Sequence, residues 1–423
     1  MNVLILGSGG REHAFAYKIK QSTLCKNLYV APGNSGTREI ATNLQFQVHQ
    51  FEDIVEAIKK FEIKMVIIGP EVPLVNGLSD YISANDEIKE TVVIGPNKYA
   101  SQLEGSKDFA KEFLNRHNIP TASHKTFTAE NINDAFSYID SMIPPYVLKA
   151  DGLAAGKGVL IIDNPNEAKN ELTEMLLNSK FGDASKSVVV EEFLDGIELS
   201  CFVLTDGKNY KLLPSAKDYK RIGEGDTGLN TGGMGAISPP PFLTKDFMQK
   251  VEKKIIQPTI DGLIKDKIIY KGFIFFGLIK VKEEPYVIEY NVRMGDPESE
   301  AVLPRIKSDL LDLLYSVSKG QLNHQEVIID NKESATVFLV SGGYPEQYEK
   351  NKEIFGLDKV SDSIVFHAGA KYEEGKVKTN GGRVIAITSM GATVKEALDK
   401  SYNSIKNISF EKMNYRGDIG FDL

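Results

Sequence analysis

Glu289, Asn291 and Arg293 alternate along a segment whose composition is typical of a β-strand. Because successive side chains of a strand point to opposite sides, a carboxylate, an amide and a guanidinium would share one face. Two such oxygen ligands, together with nucleotide phosphates, are a common way of holding Mg²⁺. An arginine beside them could stabilise charge on a phosphoryl group during transfer. The plainer interpretation is a solvated strand face with a salt bridge.

Two glycine-rich turns could present backbone N–H groups to phosphate or to another small polar ligand. The first, GSGGRE at 7–12, lacks the third glycine of a dinucleotide fingerprint, because Glu12 stands there. The following strand ends at Ala31 without a carboxylate for an adenosine ribose, which disfavours a dehydrogenase. The second turn, between Lys149 and Val159, joins two predicted strands and resembles a loop folding over nucleotide phosphates. A tight turn without a ligand is the alternative for both.

Three further segments are candidates for binding. Acidic residues at 191–198 lie where one predicted strand ends and another begins, and could meet an adenosine; alone, this is a weak signal. The stretch from Pro214 to Pro241 shows neither helical nor strand periodicity, and we predict a long loop, either a mobile cover over an anionic substrate or disordered. It carries Lys217, Asp218, Lys220 and Arg221 ahead of a glycine cluster. The turn at 295–298 opens a predicted helix.

The elements that must position these residues are those of an α/β chain. Its 423 residues predict about three domains. In the first hundred residues, short apolar runs ending at Gly or Pro alternate with helical stretches, which predicts βαβ units and a parallel sheet. Ligands of such sheets bind beyond the carboxyl ends of the strands, where these Gly and Pro loops lie. Later segments predict hairpins, one of them turned at Asp206-Gly207, and a helix capped by Asn164.

Composition excludes several classes of protein. The 50 basic and 58 acidic residues give a net charge of −8, which argues against nucleic acid as a partner. Apolar runs fall far short of the roughly 20 residues of a membrane span. The N-terminal run MNVLILG predicts a first strand rather than a leader peptide, and hence a cytoplasmic protein. Cys25 and Cys201 fit no metal or redox spacing and are interpreted as free thiols.

Eight segments in this order resemble the phosphoribosylamine–glycine ligase family of ATP-grasp enzymes. They are GSGGREHA at 7–14, APGNSGT at 31–37, GPEVPLVNG at 69–77, QLEGSK at 102–107, KADGLAAGKGV at 149–159, EEFLDGIE at 191–198, NTGGMGA at 230–236 and EYNVRMGDPE at 289–298. The resemblance implies an N-terminal parallel α/β domain (1–104), a two-lobed ATP-grasp core (105–328) with a lid subdomain at about 122–188, and a small mixed α/β domain (329–423).

The resemblance also implies the chemistry. ATP phosphorylates the carboxylate of glycine, and the amine of 5-phosphoribosylamine attacks the glycyl phosphate to give glycinamide ribonucleotide, ADP and phosphate, a step of de novo purine synthesis. Mg²⁺ or Mn²⁺ would be required, the partners would be small molecules, and the enzyme would be a monomer. Because an acyl phosphate hydrolyses in water, a lid over the site is expected.

The resemblance implies residues for five roles: binding ATP, phosphoribosylamine, glycine and the metal, and catalysis. Those for ATP are Lys107, Lys149, Gly156, Lys157, Glu191, Glu192, Phe193, Leu194 and Glu198. Those facing phosphoribosylamine are Gly9, Gly10, Arg11, Gly33, Asn34, Glu71, Lys220 and Arg221, with Gly295, Asp296 and Pro297 for glycine. The metal ligands are Glu289 and Asn291, and the catalytic residues are Arg293, Lys157 and Asp218.

The chain departs from the family pattern beside these residues. Lys217 stands where Gln is common, Tyr219 where His is usual, Leu229 where Pro precedes Asn, and Val292 and Met294 where a small residue and Phe are usual. The predicted strand from Phe273 to Val281 offers no further carboxylate for the metal, so water must complete its ligand set. Three other hypotheses stay open: an ATP-grasp ligase with another amine acceptor, a non-catalytic nucleotide sensor and, least favoured, an oxidoreductase.

Overall fold

The structure is a computed structural model that describes residues 1–154 and 158–423. It confirms the α/β class, with a parallel N-terminal sheet followed by antiparallel sheets. Among the described residues, none of the helices combines the length and the apolar composition that crossing a membrane requires.

The N-terminal sheet is parallel throughout, in the order β3-β2-β1-β4-β5. Its strands are β1 (Asn2–Gly7), β2 (Asn27–Pro32), β3 (Thr42–Asn43), β4 (Ile63–Ile68) and β5 (Val92–Ile94). The helices around it are α1 (Gly10–Ile19), α2 (Thr37–Ile40), α3 (Phe51–Lys60), α4 (Glu71–Val75), α5 (Leu78–Ser83), α6 (Gln102–Gly105) and α7 (Lys107–Arg116). Parallel strands end at one edge of a sheet, so the glycine turns after β1, β2 and β4 lie there together.

A small antiparallel sheet with its own apolar core follows. Its elements are β6 (His124–Thr128), α8 (Ile132–Ser141), β7 (Tyr146–Ala150), β8 (Val159–Ile162), α9 (Pro165–Leu176) and β9 (Ser187–Glu192). The predicted cap of α9 is confirmed: the Asn164 side chain accepts hydrogen bonds from the backbone N–H groups of Asn166 and Glu167 at 2.9 and 3.2 Å. The cap satisfies two donors that a helix start leaves unpaired.

The central part combines a four-stranded antiparallel sheet, in the order β11-β10-β14-β15, with a separate hairpin. The strands are β10 (Ile197–Thr205), β11 (Tyr210–Leu212), β12 (Lys217–Gly223), β13 (Thr227–Ser238), β14 (Gly272–Val281) and β15 (Glu284–Asn291). The helices are α10 (Lys245–Val251), α11 (Gln257–Lys265), α12 (Glu298–Val302) and α13 (Leu310–Lys319). The hairpin predicted at Asp206-Gly207 is confirmed, with Gly207 at φ 91°, a conformation that glycine adopts without strain.

The prediction of a long loop from Pro214 to Pro241 is wrong. The segment forms the antiparallel hairpin β12–β13, which joins a five-stranded sheet in the order β12-β13-β16-β20-β17. The remaining elements are β16 (Glu333–Val340), β17 (Ile364–His367), β18 (Ala370–Glu373), β19 (Lys376–Thr379), β20 (Arg383–Gly391) and α14 (Val394–Ile405). Register shifts in the β12–β13 ladder and six glycines obscure the alternation that would have revealed the strands.

Two buried histidines join the N-terminal sheet to the C-terminal one. The Nδ1 atom of His13 on α1 accepts a hydrogen bond from the backbone N–H of His367 at 2.8 Å. The Nδ1 atom of His367 lies 2.7 Å from the hydroxyl oxygen of Ser35. Burial lowers the pKa of His13 to about 3, with His367 adding to the effect, and lowers the pKa of His367 to about 4. Both rings are therefore neutral in the folded chain at neutral pH.

Acid should weaken this contact. An unfolded histidine binds a proton near pH 6.5. The stability that the neutral rings contribute is therefore complete above that pH, and is lost as the pH falls toward about 4 and about 3. At a pH of about 5.5 we expect a loss of about 1.4 kcal/mol of unfolding free energy per histidine. Urea denaturation at neutral pH and at that pH measures the loss. In His13→Asn, whose amide oxygen can replace Nδ1, the loss should be about half as large; an equal loss would contradict the assignment.

Candidate active site

The predicted metal ligands lie together at the end of β15. The Nδ2 atom of Asn291 is 3.5 Å from Oε1 of Glu289, so the two side chains share a face as the alternation predicts. Opposite Glu289 on β14 stands Gly277, where a β-carbon would lie 3.0 Å from Cγ of Glu289. The glycine thus leaves room for the carboxylate but adds no ligand. Among the described residues, no group of three or more His, Cys, Asp or Glu side chains is arranged to hold a metal.

These two oxygen donors fit a magnesium or manganese ion. The carboxylate of Glu289 is exposed, while Asn291 is buried at the base of the pair. Mg²⁺ commonly keeps several waters and takes one or two carboxylates with substrate phosphates, so it does not need a closed protein cage. A pair of this kind suits an ion that arrives with a nucleotide.

Arg293 lies just beyond β15 and is held by two carboxylates from other elements. Its Nη2 atom donates to Oε1 of Glu104 at 2.6 Å, and its Nε atom lies 3.5 Å from Oε2 of Glu71. Glu104 also accepts the backbone N–H of Val292 at 2.8 Å. Burial raises the pKa of Glu104 against the effect of Arg293, whereas Arg293 and Arg11 lower the pKa of Glu71 despite burial. The guanidinium is therefore fixed in direction at the end of the strand.

Lys107 and Lys149, both predicted to bind ATP, are placed by different anchors. Lys107 opens α7, where the carboxylate of Asp151 accepts the backbone N–H of Asp108 at 2.9 Å and the Ser106 hydroxyl at 3.0 Å. The Lys107 ammonium donates to the Gly152 carbonyl at 3.3 Å, and burial lowers its pKa, with Glu289 opposing. The other predicted residues of this loop, Gly156 and Lys157, lie outside the described part of the chain.

A buried triad of two lysines and one glutamate holds Lys149. The Nζ atoms of Lys149 and Lys111 each lie 2.9 Å from a carboxylate oxygen of Glu191, and the Lys111 and Glu191 side chains are only 3% exposed. Burial lowers the pKa of Lys111 to about 8, and the two ammonium groups lower the pKa of Glu191 despite its burial. The Glu191 carboxylate thus fixes the two lysines, and its predicted contact with ATP stays a prediction.

The other residues of the 191–198 segment point in separate directions. The carboxylate of Glu192 accepts the backbone N–H and the hydroxyl of Ser123 at 2.7 and 2.9 Å. Phe193 and Leu194 lie past the end of β9, outside its ladder. Glu198, on β10, accepts a hydrogen bond from the Lys220 ammonium at 2.6 Å.

The predicted substrate residues on β12 surround that contact. Oδ2 of Asp218 lies 4.0 Å from the Lys220 ammonium, while the Arg221 side chain donates to the Gly228 carbonyl at 2.7 Å. Burial and the neighbouring Glu198 raise the pKa of Asp218, although Lys220 opposes them. For Lys220 the two carboxylates outweigh burial and raise the pKa.

The first glycine turn is closed by its own glutamate. The Gly9 N–H, expected to meet an anion, donates to Oε2 of Glu12 at 2.6 Å. A β-carbon at Gly69 would lie 2.0 Å from Oε1 of Glu12, so this glycine admits the carboxylate. Arg11 is buried, donating from Nε to Oε1 of Glu12 at 2.7 Å and from Nη1 to the Met294 carbonyl at 3.1 Å.

Gly33 and Asn34 follow β2 at the same edge. The Asn34 amide donates to the carbonyls of Ser8 and His367 at 2.9 and 2.7 Å, which ties two loops together. Gly33 adopts φ 71° beside the Asn43 side chain. Both residues stand beside the first turn, with their polar groups engaged by the protein.

Arg383 from β20 organises the turn at 295–298. Its Nη2 atom lies 2.9 Å from Oδ1 of Asp296, and its Nη1 atom donates to the carbonyls of Gly232 and Asp296 at 2.6 and 2.9 Å. Oδ2 of Asp296 would lie 3.1 Å from a β-carbon on Gly9, so the 295–298 turn meets the first glycine turn. The two predicted substrate regions are therefore adjacent.

Several residues of the site were missed from the sequence. Glu298 and Glu300 are buried on α12; burial, with Asp218, raises the pKa of Glu298 to about 7, and burial, with Asp296, raises the pKa of Glu300 well above its ordinary value. Glu104 lay inside the quoted QLEGSK segment, so its position was visible although its partner was not. Nothing local marked the ion pair of Lys111 with Glu191, 80 residues away, or the contact of Arg383 with Gly232, 151 residues away.

Family models match almost the whole chain. They are described as phosphoribosylglycinamide synthetase N domain (residues 1–104), ATP-grasp (A) domain (residues 105–299) and C domain (residues 334–422).

Named relatives agree with these matches. A phosphoribosylamine–glycine ligase of Yersinia pestis is 43% identical over 427 residues, covering 100% of this chain and 98% of that protein. A bifunctional purine biosynthetic protein PUR2,5 of Pichia angusta is 43% identical over 99% of this chain, which spans only 53% of that protein. A crystal structure of a phosphoribosylamine–glycine ligase from Thermotoga maritima has a TM-score of 0.86 and 34% identity, covering 99% of this chain and 100% of that one.

The lysine–glutamate triad should be essential for the stability of the sheet β6-β9-β7-β8. Replacing Glu191 by Gln leaves Lys111 and Lys149 buried without a counter-charge, which typically costs about 3 to 5 kcal/mol. The neighbouring Glu192→Gln variant keeps an acceptor for Ser123 at an exposed position, and should cost less than about 1 kcal/mol. Urea unfolding followed by circular dichroism compares them. Equal stability of the two variants would show that the triad contributes little.

Proposed function

This chain belongs to the phosphoribosylglycinamide synthetase family, and we propose from that premise that it joins glycine to 5-phosphoribosylamine with conversion of ATP to ADP and phosphate. The product is glycinamide ribonucleotide, an intermediate of purine biosynthesis. The observation that carries the proposal is the arrangement at the end of β15. There Glu289 and Asn291 share a face, and Arg293 is held by Glu104. A protein that only sensed nucleotides would not need this phosphoryl-transfer set.

ATP binds between the lid sheet and β15. Lys107, at the start of α7, and Lys149, on β7, neutralise the phosphates together with Lys157. The backbone at 192–194 reads the adenine edge, and Glu198 binds the ribose hydroxyls. Glu191 contributes by holding Lys149 in place.

Glu289 and Asn291 would hold Mg²⁺ or Mn²⁺. When bound, the ion would neutralise negative charge on the ATP phosphates. The thin protein ligand set agrees with an ion that shares its coordination with phosphate oxygens and water.

The first step makes the carboxylate of glycine reactive. One carboxylate oxygen attacks the γ-phosphorus of ATP, and ADP leaves with the electrons of the broken bond. Arg293 donates hydrogen bonds to the transferring phosphoryl group, and its rigid anchoring by Glu104 and Glu71 means that little reorganisation is needed.

The second step forms the amide bond. The amine of phosphoribosylamine attacks the carbonyl carbon of glycyl phosphate, phosphate leaves, and the attacking nitrogen loses a proton. Asp218 accepts that proton, because burial raises the pKa of its carboxylate and makes it a stronger base.

The proposed binding sites for glycine and for phosphoribosylamine lie close enough together for this step. Glycine binds at Gly295, Asp296 and Pro297, next to the first glycine turn. Phosphoribosylamine binds at residues of that edge of the N-terminal sheet and of β12: Gly9, Gly10, Arg11, Gly33, Asn34, Glu71, Lys220 and Arg221. Since several of these side chains are engaged by the protein, backbone groups and small shifts in Arg11 would supply the contacts.

Four further features accompany the proposal: the oligomeric state, the location, the domain division and the lid. The enzyme acts as a monomer in the cytoplasm, as the family resemblance implies, and sedimentation equilibrium tests the first of these. The three-domain division at 104/105 and 328/329 is retained, with the qualification that β12 and β13 complete the C-terminal sheet. The lid at about 122–188 would exclude water from the acyl phosphate.

The deciding experiment is ADP release with Mg-ATP. Glycine and phosphoribosylamine, the latter made in place from ribose 5-phosphate and ammonia, are supplied together and singly. Release that requires both is the expected result. Release indifferent to phosphoribosylamine would indicate another amine acceptor, and ATP binding without turnover would favour a nucleotide sensor.

Glu289→Gln should separate catalysis from folding. The exposed carboxylate makes few contacts with the protein, so the free energy of unfolding should change by less than about 0.5 kcal/mol. The rate constant kcat should nevertheless fall by a factor of about 10² to 10³. Higher Mg²⁺ concentrations should be needed for half-maximal rate. The matched control, Glu284→Gln at the other end of β15, removes only surface ion pairs with Lys250 and Lys254. Equal rates for the two variants would remove Glu289 from the mechanism.

A further inference from the structure

The last residues of the chain bind the back of the strand that carries the predicted substrate residues. On β12, Asp218 and Lys220 point to the site, where the Lys220 ammonium meets Glu198. Lys217 and Tyr219 alternate with them and therefore point the other way. Both contact Asp422: the Lys217 ammonium forms an ion pair with its carboxylate, and the Tyr219 hydroxyl donates to it at 2.9 Å.

Arg416 makes a second attachment a few residues along the hairpin. Its fully buried guanidinium forms two parallel hydrogen bonds with Asp418, at 2.7 and 2.9 Å. The same group contacts the Asp226 carboxylate at the hairpin turn and donates to the Arg221 carbonyl at 3.3 Å. Its carbon Cζ also lies 5.4 Å from the centre of the Tyr219 ring, within cation–π range.

The turn of the hairpin is bound through the backbone as well. Oδ2 of Asp418 accepts the Gly225 N–H at 2.7 Å, and the Gly417 N–H donates to Glu224 at 3.1 Å. Together, Arg416, Asp418 and Asp422 form what we call the C-terminal clamp. It engages β12 at its start, at its end and at the turn that follows.

The β12–β13 hairpin needs contacts with other parts of the chain to fix its position, because its own hydrogen-bond ladder is interrupted near Lys220. Tyr219 pairs with Gly235, but Arg221 pairs with Asn230, so the register shifts across Lys220, and it shifts again between Arg221 and Gly223. One side-chain bond, from the Thr231 hydroxyl to the Lys220 carbonyl at 2.7 Å, bridges the gap. A strand with a broken ladder is less constrained in position than a regular one.

We propose that the C-terminal clamp is a positioning element of the active site, which fixes the back of β12 so that Asp218 and Lys220 reach the substrate from its front. The proposal rests on the proposed ligase function for its catalytic part. It also gives the departures at Lys217 and Tyr219 a physical role, because these two side chains are the ones that Asp422 binds.

The sharpest variant is Asp422→Asn. It removes the counter-charge of Lys217 near the end of the chain, at a partly exposed position where global unfolding is not expected. Arg416→Lys is the second variant, since it keeps the charge but loses the planar two-bond contact with Asp418. The control is Asp399→Asn on α14, an exposed carboxylate that pairs with Lys395 away from the hairpin.

Three readouts on the full chain separate positioning from simple stability. The first is kcat/KM for phosphoribosylamine, which a small misplacement of catalytic groups can lower about 10- to 100-fold. The second is limited trypsin digestion with mass spectrometry, which reports cleavage after Lys217, Lys220 and Arg221. The third is the melting temperature, which identifies variants that are merely less folded.

Asp422→Asn should lower kcat/KM and speed tryptic cleavage of the hairpin, at a temperature where the control variant and the wild-type chain stay intact. Arg416→Lys should lower kcat/KM and speed the cleavage as well. Kinetics and cleavage that match Asp399→Asn would overturn the proposal, as would faster cleavage with unchanged kcat/KM. Wild-type protein that fails to ligate would instead refute the proposed function. The cleavage result would still decide whether the clamp holds β12.

Discussion

Buried charge that must be paired is the constraint on which this site depends. An ion removed from water is costly unless a partner and hydrogen bonds replace its hydration. Glu191 meets this need for two lysines, and Glu104 meets it for Arg293. The same pairs that make burial tolerable also fix the direction of each cationic group. A cation whose direction is already fixed needs little reorganisation when it meets a charged ligand.

Local patterns were enough for much of the fold and for part of the site. The alternation of Glu289 and Asn291, the cap at Asn164 and the turn at Asp206-Gly207 each depend on residues within a few positions of one another. The parallel sheet followed from apolar runs that end at Gly or Pro, and with it the edge where the loops meet. The family of the chain was likewise evident from short segments in order.

The sequence could not show which residues form hydrogen bonds and ion pairs with residues far away in the chain. Glu104 binds the backbone of a residue 188 positions away, and Arg383 reaches a carbonyl 151 positions away. No local period encodes such contacts. The hairpin β12–β13 was mistaken for a loop because its glycines and register shifts interrupt the alternation, and because its partner β16 comes about a hundred residues later. From the sequence, Glu12 only marks the absence of the third glycine of a dinucleotide fingerprint. In the structure its carboxylate accepts the Gly9 N–H and so closes the first glycine turn.

The sheet that contains β12 and β13 also has a consequence for the order in which the chain can fold during synthesis. The sheet β6-β9-β7-β8 is made from one continuous segment, residues 124–192, with its own apolar core, so it can fold before the rest of the chain is made. The β12–β13 hairpin must wait for β16 and then for Arg416 and Asp422. At 5 to 20 residues per second, that delay is roughly ten to forty seconds. During this delay the glycine-rich hairpin has an unpaired strand edge, which can pair with other chains. A chaperone would therefore be most useful at this hairpin.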